Sequence, residues 1–135
     1  MDINTEILVI KSDEKELVKF ESFLFNYFEE KKLPAIYFNK VLLCISEAII
    51  NAIYHGNKND FSKTVTIRIL YDNGAIYADI IDEGTGFDFN CITDPTKGEY
   101  IRKESGRGLH IIKSLCECLD FKEKGKCVSI KIGIK

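Results

Sequence analysis

With 135 residues, 45% of them hydrophobic and 11% aromatic, the chain has the apolar material for one core of ordinary size, and a single domain over residues 1–135 is expected. Nineteen Lys and Arg against twenty-one Asp and Glu leave a net charge of −2, which excludes the strong positive field that recruits nucleic acid or an anionic membrane. No uninterrupted apolar run reaches the ~18 residues of a membrane span, and MDINTEILVIKSDEKE lacks the basic and apolar regions of a signal peptide, so a cytoplasmic location is expected.

In chain order, Ile3 to Ile10 is short and rich in β-branched residues and reads as a strand, after which Ser12 or Asp13 offers a helix N-cap. From Glu14 to Lys31, Leu17, Phe20, Leu24 and Tyr27 recur at helical spacing with Glu and Lys opposite, the pattern of an amphipathic helix. Pro34 is expected to break it and to sit in the first turn of the next helix, which runs to about Tyr54 and stops at Gly56. Thr64 to Tyr71 alternates, Asp72-Asn73-Gly74 turns, and Ala75 to Ile81 returns, which predicts a hairpin with asparagine-glycine at its tip. A long glycine-bearing segment, Asp82 to Gly108, follows; connections of that length in compact domains usually carry function. Leu109, Ile112, Leu115 and Leu119 predict a helix from Leu109 to Leu119, and Cys127 to Ile134 alternates as a last strand. The order β, α, α, β, β, long loop, α, β predicts an α+β fold, a two-layer α/β sandwich whose mixed, mostly antiparallel sheet carries its helices on one face.

Five cysteines, Cys44, Cys91, Cys116, Cys118 and Cys127, are odd in number and form no CxxC pair, which fits a reducing compartment and small buried hydrophobes better than disulfides. The CxC of Cys116 and Cys118 is weak as a metal motif, because zinc wants four ligands at recognisable spacings.

Three segments carry chemistry. On a helical wheel of about 100 degrees per residue, Lys40, Cys44, Glu47, Asn51 and His55 share one narrow stripe of an otherwise apolar helix, a stripe expected to open on a cleft. Asp82, at a strand end and followed by Gly84 and Gly86, lets the backbone turn sharply and approach a flat ligand, and its carboxylate suits an exocyclic amino group such as that of adenine. Ser105-Gly106-Arg107-Gly108-Leu109 opens the last predicted helix, where freed N–H groups and the helix dipole favour an anion and Arg107 adds a forked cation. Taken alone, a helical Glu is usually solvated surface and a DxGxG loop is usually a turn.

In this order the three segments resemble the motifs of the GHKL (Bergerat-fold) ATPases. Glu47, Asn51 and His55-Gly56-Asn57 look like the N box, DEGTGF at Asp82 to Phe87 like the G1 box, and SGRGL at Ser105 to Leu109 like the G2 box. The closest likeness is to the anti-sigma factor serine/threonine-protein kinases. One position departs from some of them: Glu104 stands before Ser105 where they carry a basic residue.

The resemblance implies the Bergerat ATP-binding fold, ATP and Mg²⁺ as cofactors, and a role for each matched residue. Asn51 would hold the Mg²⁺, and Glu47 would act as the base toward a serine or threonine hydroxyl. Asp82 would bind the adenine amino group, with Gly84 and Gly86 permitting close approach. Ser105, Gly106, Arg107, Gly108 and Leu109 would surround the phosphates, and Asp88 to Glu104 would form a lid. The implied activity is that of a protein kinase and anti-sigma factor whose partners are a sigma factor and its phosphorylatable antagonist, with homodimerisation expected and no direct contact with nucleic acid or membrane. The alternative is a non-catalytic ATP-binding regulatory module in a partner-switching pathway, which has no use for Glu47.

Overall fold

The computed structural model describes residues 5–84, 110–122 and 126–134. Strand β1 (Glu6–Lys11) is followed by a short 3-10 turn at Glu14–Glu16 and helix α1 (Leu17–Lys31). The cap of that turn is Asp13, whose carboxylate accepts from the Lys15 N–H at 3.0 Å. Helix α1 ends before Pro34 is reached. Lys32 adopts the left-handed conformation (φ 55°, ψ 44°), and the Leu33 N–H folds back onto the Phe28 carbonyl at 2.9 Å, so the chain reverses through backbone caps. Pro34 is extended, a 3-10 turn spans Ala35–Tyr37, and helix α2 runs Phe38–Asn51. From Ala52 to Gly56 the helix widens into a π-helical turn in place of the expected α-helical end.

Strands β2 (Thr64–Asp72) and β3 (Ala75–Ile81) form the expected hairpin. Asn73 and Gly74 both take positive φ, 48° and 80°, the requirement of the tight turn that suits twisted strands. Residues 110–115 are helical (α3), and then the chain departs from the expected helix. Leu119 lies in strand β4 (Cys118–Lys122), an edge strand paired with β5 (Cys127–Gly133). The misreading has a simple cause: Leu119 follows Leu115 by four residues, a spacing that a helix and a strand after a short break produce alike.

The sheet order is β1-β2-β3-β5-β4, and every described neighbour pair is antiparallel. The registers align one apolar row across all five strands: Leu8, Ile67, Ile80, Val128 and Phe121. That row lies on the face covered by the helices, where Phe20, Leu24, Val41, Ile45, Ile49, Ile53 and Ile112 are buried. Each such side chain stabilises the fold by about 1.5–3 kcal/mol relative to exposure. Tyr27 is the polar member of this core, and its hydroxyl accepts from the Tyr71 N–H at 2.8 Å. The other face is half-polar, with Asp79 bridged to Arg68 at 3.1 Å and to the Ser129 hydroxyl at 2.6 Å.

The helical stretch Ala35–Gly56 is 22 residues long and contains an 18-residue window with a mean hydropathy of 1.5, enough by length and composition to cross a membrane. Here it is the central helix of the sandwich, its apolar side buried against the sheet and its length marked by Lys40, Glu47 and Asn51. The two-layer α+β architecture, helices on one face, is thus the observed fold. It leaves the C-terminal end of α2, the start of β2 and the end of β3 together at one edge of the molecule.

Candidate functional site

Along α2 the polar stripe divides. Lys40 donates to the Gly133 carbonyl at 3.3 Å, near the opposite end of the sheet. Cys44 is fully buried beside the thiol of Cys116, and burial pushes its own thiol up to about 12, where it is an inert hydrophobe. The stripe therefore does not face a single cleft: Lys40 lines a depression with Tyr37, Gly74, Glu117 and Gly133, Cys44 is buried, and Glu47 and Asn51 lie further along the helix. Wheel angle ignores what packs on the helix, here strands β3 and β5 and, at Cys44, Cys116.

Glu47 and Asn51 stand one helical turn apart on α2, and His55, the last member of the stripe, falls in the π-helical turn that follows. Glu47 is half-buried, and loss of solvent raises its proton affinity, with repulsion from Glu14 adding in the same direction. Glu14 is held in place by the Tyr54 hydroxyl, which donates to it at 2.8 Å. Asn51 is buried at 7% exposure, and its Nδ2 has no hydrogen-bond partner among the described residues. A buried amide left unsatisfied costs free energy unless a ligand completes it.

The π-helical turn then carries the backbone from Asn51 to Gly56, directly against Asp82. A Cβ built on Gly56 would stand 2.0 Å from Asp82 Oδ2, and one on Gly84 would stand 1.8 Å from the Gly56 carbonyl oxygen. Both positions exclude any side chain. The close approach that the DxGxG pattern suggested is thus, at Gly84, an approach of protein backbone to protein backbone. Asp82 sits between the two glycines at 5% exposure, its N–H donating to the Lys126 carbonyl at 2.9 Å and its Oδ1 accepting from the Gly84 N–H at 2.8 Å. Burial pushes its carboxyl up, an effect that the Gly84 N–H and the charges of Lys126 and Lys63 oppose. Among the described residues Asp82 makes no ion pair. A carboxylate so placed has acceptor capacity in hand and favours a ligand that brings an N–H donor.

The structure therefore brings Glu47, Asn51, Asp82 and Gly84 to one end of the sandwich. Gly86, Ser105, Gly106, Arg107, Gly108, Leu109 and the lid at Asp88 to Glu104 lie outside the described residues. Two participants escaped the sequence reading. Gly56 was read only as a helix stop and a member of HGN, and Asn57 only as part of HGN; Asn57 is fully buried and bonds to both the start of β2 and Glu83. The available signal was the tripeptide itself, in which a polar residue directly follows the glycine that ends an apolar helix.

Residues 10–132 match the family described as the histidine kinase-like ATPase domain. The chain belongs to this family. Over 77 residues, 54% of the chain, it is 35% identical to the anti-sigma F factor of Geobacillus stearothermophilus, covering 51% of that protein. The anti-sigma F factor of Geobacillus kaustophilus matches to the same extent, and that of a further Geobacillus species is 43% identical over 42 residues. The chain spans about half the length of the first two of these relatives. Among solved structures it resembles the RsbU and RsbW domains of Rv1364c from Mycobacterium tuberculosis, with a TM-score of 0.62 at 15% identity, over 94% of this chain and 31% of that one. At that identity the likeness speaks for the fold. As a member of the histidine kinase-like ATPase family, the chain carries an ATPase-type domain, and its similarity to anti-sigma F factors is a likeness over about half of those proteins.

Proposed function

We propose that this chain, as a single ATPase domain over residues 1–135, is an ATP-dependent serine/threonine protein kinase and anti-sigma factor acting in the cytoplasm. In this reading it phosphorylates an antagonist protein and restrains a sigma factor. The observation that carries the reading is Asp82, a buried carboxylate with no ion pair among the described residues, wedged between Gly56 and Gly84 at the same end of the sandwich as Glu47 and the Asn51 Nδ2, which has no partner among the described residues. Its carboxylate suits the amino group of adenine, and the two glycines let the backbone close around it and fix its position.

Asn51 is the residue that would hold Mg²⁺. The chemistry of the side chain fits: a hard cation takes the amide oxygen, and the Nδ2 group, a donor without a partner among the described residues, would be left to meet an acceptor such as a phosphate oxygen. When bound, the cation neutralises charge on the phosphates. Glu47 takes the proton of the acceptor serine or threonine as its hydroxyl oxygen bonds to the γ-phosphorus. The bond from that phosphorus to the β–γ bridging oxygen breaks, and ADP carries the electron pair away. By the resemblance, Ser105 to Leu109 would bind the phosphates and Gly86 would permit the close approach of the base. Homodimerisation belongs to the proposal through the resemblance alone.

The test is incubation of the purified chain with γ-labelled ATP, Mg²⁺ and candidate antagonist proteins. Label on an antagonist serine or threonine is the expected result. Nucleotide-dependent partner binding with no label would instead establish the non-catalytic module. The pH profile offers a second check. Glu47 must be ionised to accept the proton, and its proton affinity is raised, so kcat falls as pH drops through a limb lying above the ordinary glutamate value of 4.5. Glu14→Gln removes a like charge and moves that limb to lower pH. A limb that stays in place would disconnect Glu14 from Glu47.

A further inference from the structure

The sequence assigns no role to Asn57 beyond its place in the tripeptide, yet it is the most fully engaged polar side chain at this end of the molecule. It is 0% exposed. Its Nδ2 donates to the Thr64 carbonyl at 2.9 Å, and its Oδ1 accepts from the Glu83 N–H at 2.7 Å. Its own N–H donates to the Ala52 carbonyl at 2.8 Å, closing the π-helical turn, and its carbonyl accepts from the Asp60 N–H at 3.1 Å. One residue thus ties together the end of the N-box helix, the first residue of β2 and the residue immediately after Asp82. Glu83 completes the circuit, since its carboxylate accepts from both the hydroxyl and the N–H of Thr64.

The arrangement requires a carboxamide. A donor and an acceptor must diverge from one short, neutral side chain to reach a carbonyl and an N–H in a site closed to water. Aspartate lacks the donor, and an aliphatic residue lacks both. The consequence falls on Asp82. On one side its backbone is anchored by the bond of its own N–H to the Lys126 carbonyl. On the other, the Glu83 peptide is anchored by Asn57, and Gly84 is thereby held where its N–H meets Asp82 Oδ1 at 2.8 Å. Remove the Asn57 anchor and the Glu83–Gly84 peptides are free to turn, taking with them the donor that fixes the carboxylate's direction.

We propose that Asn57 is a positioning residue for base selection: without touching nucleotide, its carboxamide fixes the Glu83 peptide and so aims the Asp82 carboxylate at an exocyclic amino group. The inference rests on the reading of Asp82 as the adenine contact. A positioning residue of this kind acts on the choice between purines more than on binding as such, because the phosphate contacts are made elsewhere.

The test compares affinities for ATP and ITP, which differ at the position Asp82 reads, an amino group in one and a carbonyl in the other. Titration calorimetry is performed on wild type, Asp82→Asn, Asn57→Asp and Thr64→Val, with melting temperatures taken in parallel. Wild type prefers ATP, and Asp82→Asn abolishes the preference. Asn57→Asp, which keeps the acceptor and loses the donor, lowers the ATP/ITP ratio by about tenfold, the scale of one lost hydrogen bond, while ITP affinity moves by less than about threefold. Should Asn57→Asp not fold, Thr64→Val serves in its place, since it removes only the hydroxyl grip on Glu83 and yields a smaller drop in the same ratio. A purely structural Asn57 would lower the melting temperature and both affinities together, leaving the ratio at its wild-type value, and that result overturns the proposal. A wild type with no preference for ATP would overturn the Asp82 reading instead, so the two failures are distinguishable.

Discussion

Glu47→Gln is expected to lower the rate of phosphotransfer to the antagonist by about 10²–10⁴-fold, the usual contribution of a positioned general base, while leaving ATP affinity within about threefold of wild type. The reasoning is local. Glu47 and Asn51 share the C-terminal half of the α2 stripe, but in the proposed reading only Asn51 would hold the Mg²⁺ of the nucleotide complex, and Asp82, just past the end of β3, would read the base. Glutamine keeps the size and hydrogen-bonding reach of the side chain and removes its capacity to take a proton. It also removes one of the two carboxylates that face each other across Glu14 and Glu47, so the melting temperature should not fall. Single-turnover transfer of γ-label and a parallel ATP titration measure the two quantities. Transfer at the wild-type rate would strip Glu47 of the base role; a large loss of ATP affinity would make it a binding residue.

Gly84→Ala is expected to be the most damaging small substitution in the described residues. Its new methyl group would meet the Gly56 carbonyl oxygen at 1.8 Å and the Gly56 carbonyl carbon at 2.6 Å, both backbone atoms of a helical turn whose neighbour Ile53 is fully buried. Backbone cannot swing aside as a side chain does, so either the Asp82–Gly84 segment or the π-helical turn must move. Overpacking of this kind costs about 1–3 kcal/mol. At roughly 3–5 °C per kcal/mol for a chain of this size, the melting temperature drops by several degrees. ATP affinity drops by about 100-fold or more, because the carboxylate and both its glycine walls are displaced together. Gly133→Ala provides the contrast. Its methyl would also stand too close to a neighbour, 2.2 Å from Glu117 Oε1, but that neighbour is the tip of a flexible side chain, 56% exposed, that can rotate away. Calorimetric melting of both variants, with ATP titration of each, should show a large effect at Gly84 and a small one at Gly133. Equal effects would contradict the tightness of the contact between Gly84 and Gly56.

Most of the fold can be read from periodicity, because period two and period 3.6 alternate cleanly along this chain. The β2–β3 hairpin is the clearest case: Asn73-Gly74 is a turn sequence whose chemistry demands the positive φ angles observed. What periodicity does not separate is two geometries that share a spacing. Leu115 and Leu119 satisfy a helix, yet the chain breaks at Cys116 and enters β4. Ala52 and Ile53 are buried whether their turn is α or π, so the widening after Asn51 leaves no trace in the apolar pattern. Glu47, Asn51 and Asp82 were legible as candidates from residue type and spacing, and the structure brings them to one end. Lys40 and Cys44 were legible on the same wheel and belong elsewhere, because a wheel describes one helix and burial depends on what is packed against it. Asn57 and Gly56 were the hardest to see. Their importance lies in contacts across 26 residues of chain, from Asn57 to Glu83, and nothing local announces such a partner.

The contact of Gly56, Asp82 and Gly84 has a consequence for how this sequence can change over time. Each of the three positions is constrained by the size of the others: a methyl group at 56 collides with the carboxylate at 82, and one at 84 collides with the carbonyl at 56. Substitutions there should be strongly epistatic, since residues in direct contact depart from additivity. A lineage that exchanged Gly56 for alanine could regain its packing by shortening residue 82, but only by surrendering the carboxylate. Drift at these positions is therefore blocked for as long as the carboxylate at 82 is required, as the proposed base contact would require it, and relaxation of one would be expected to appear together with relaxation of the other two.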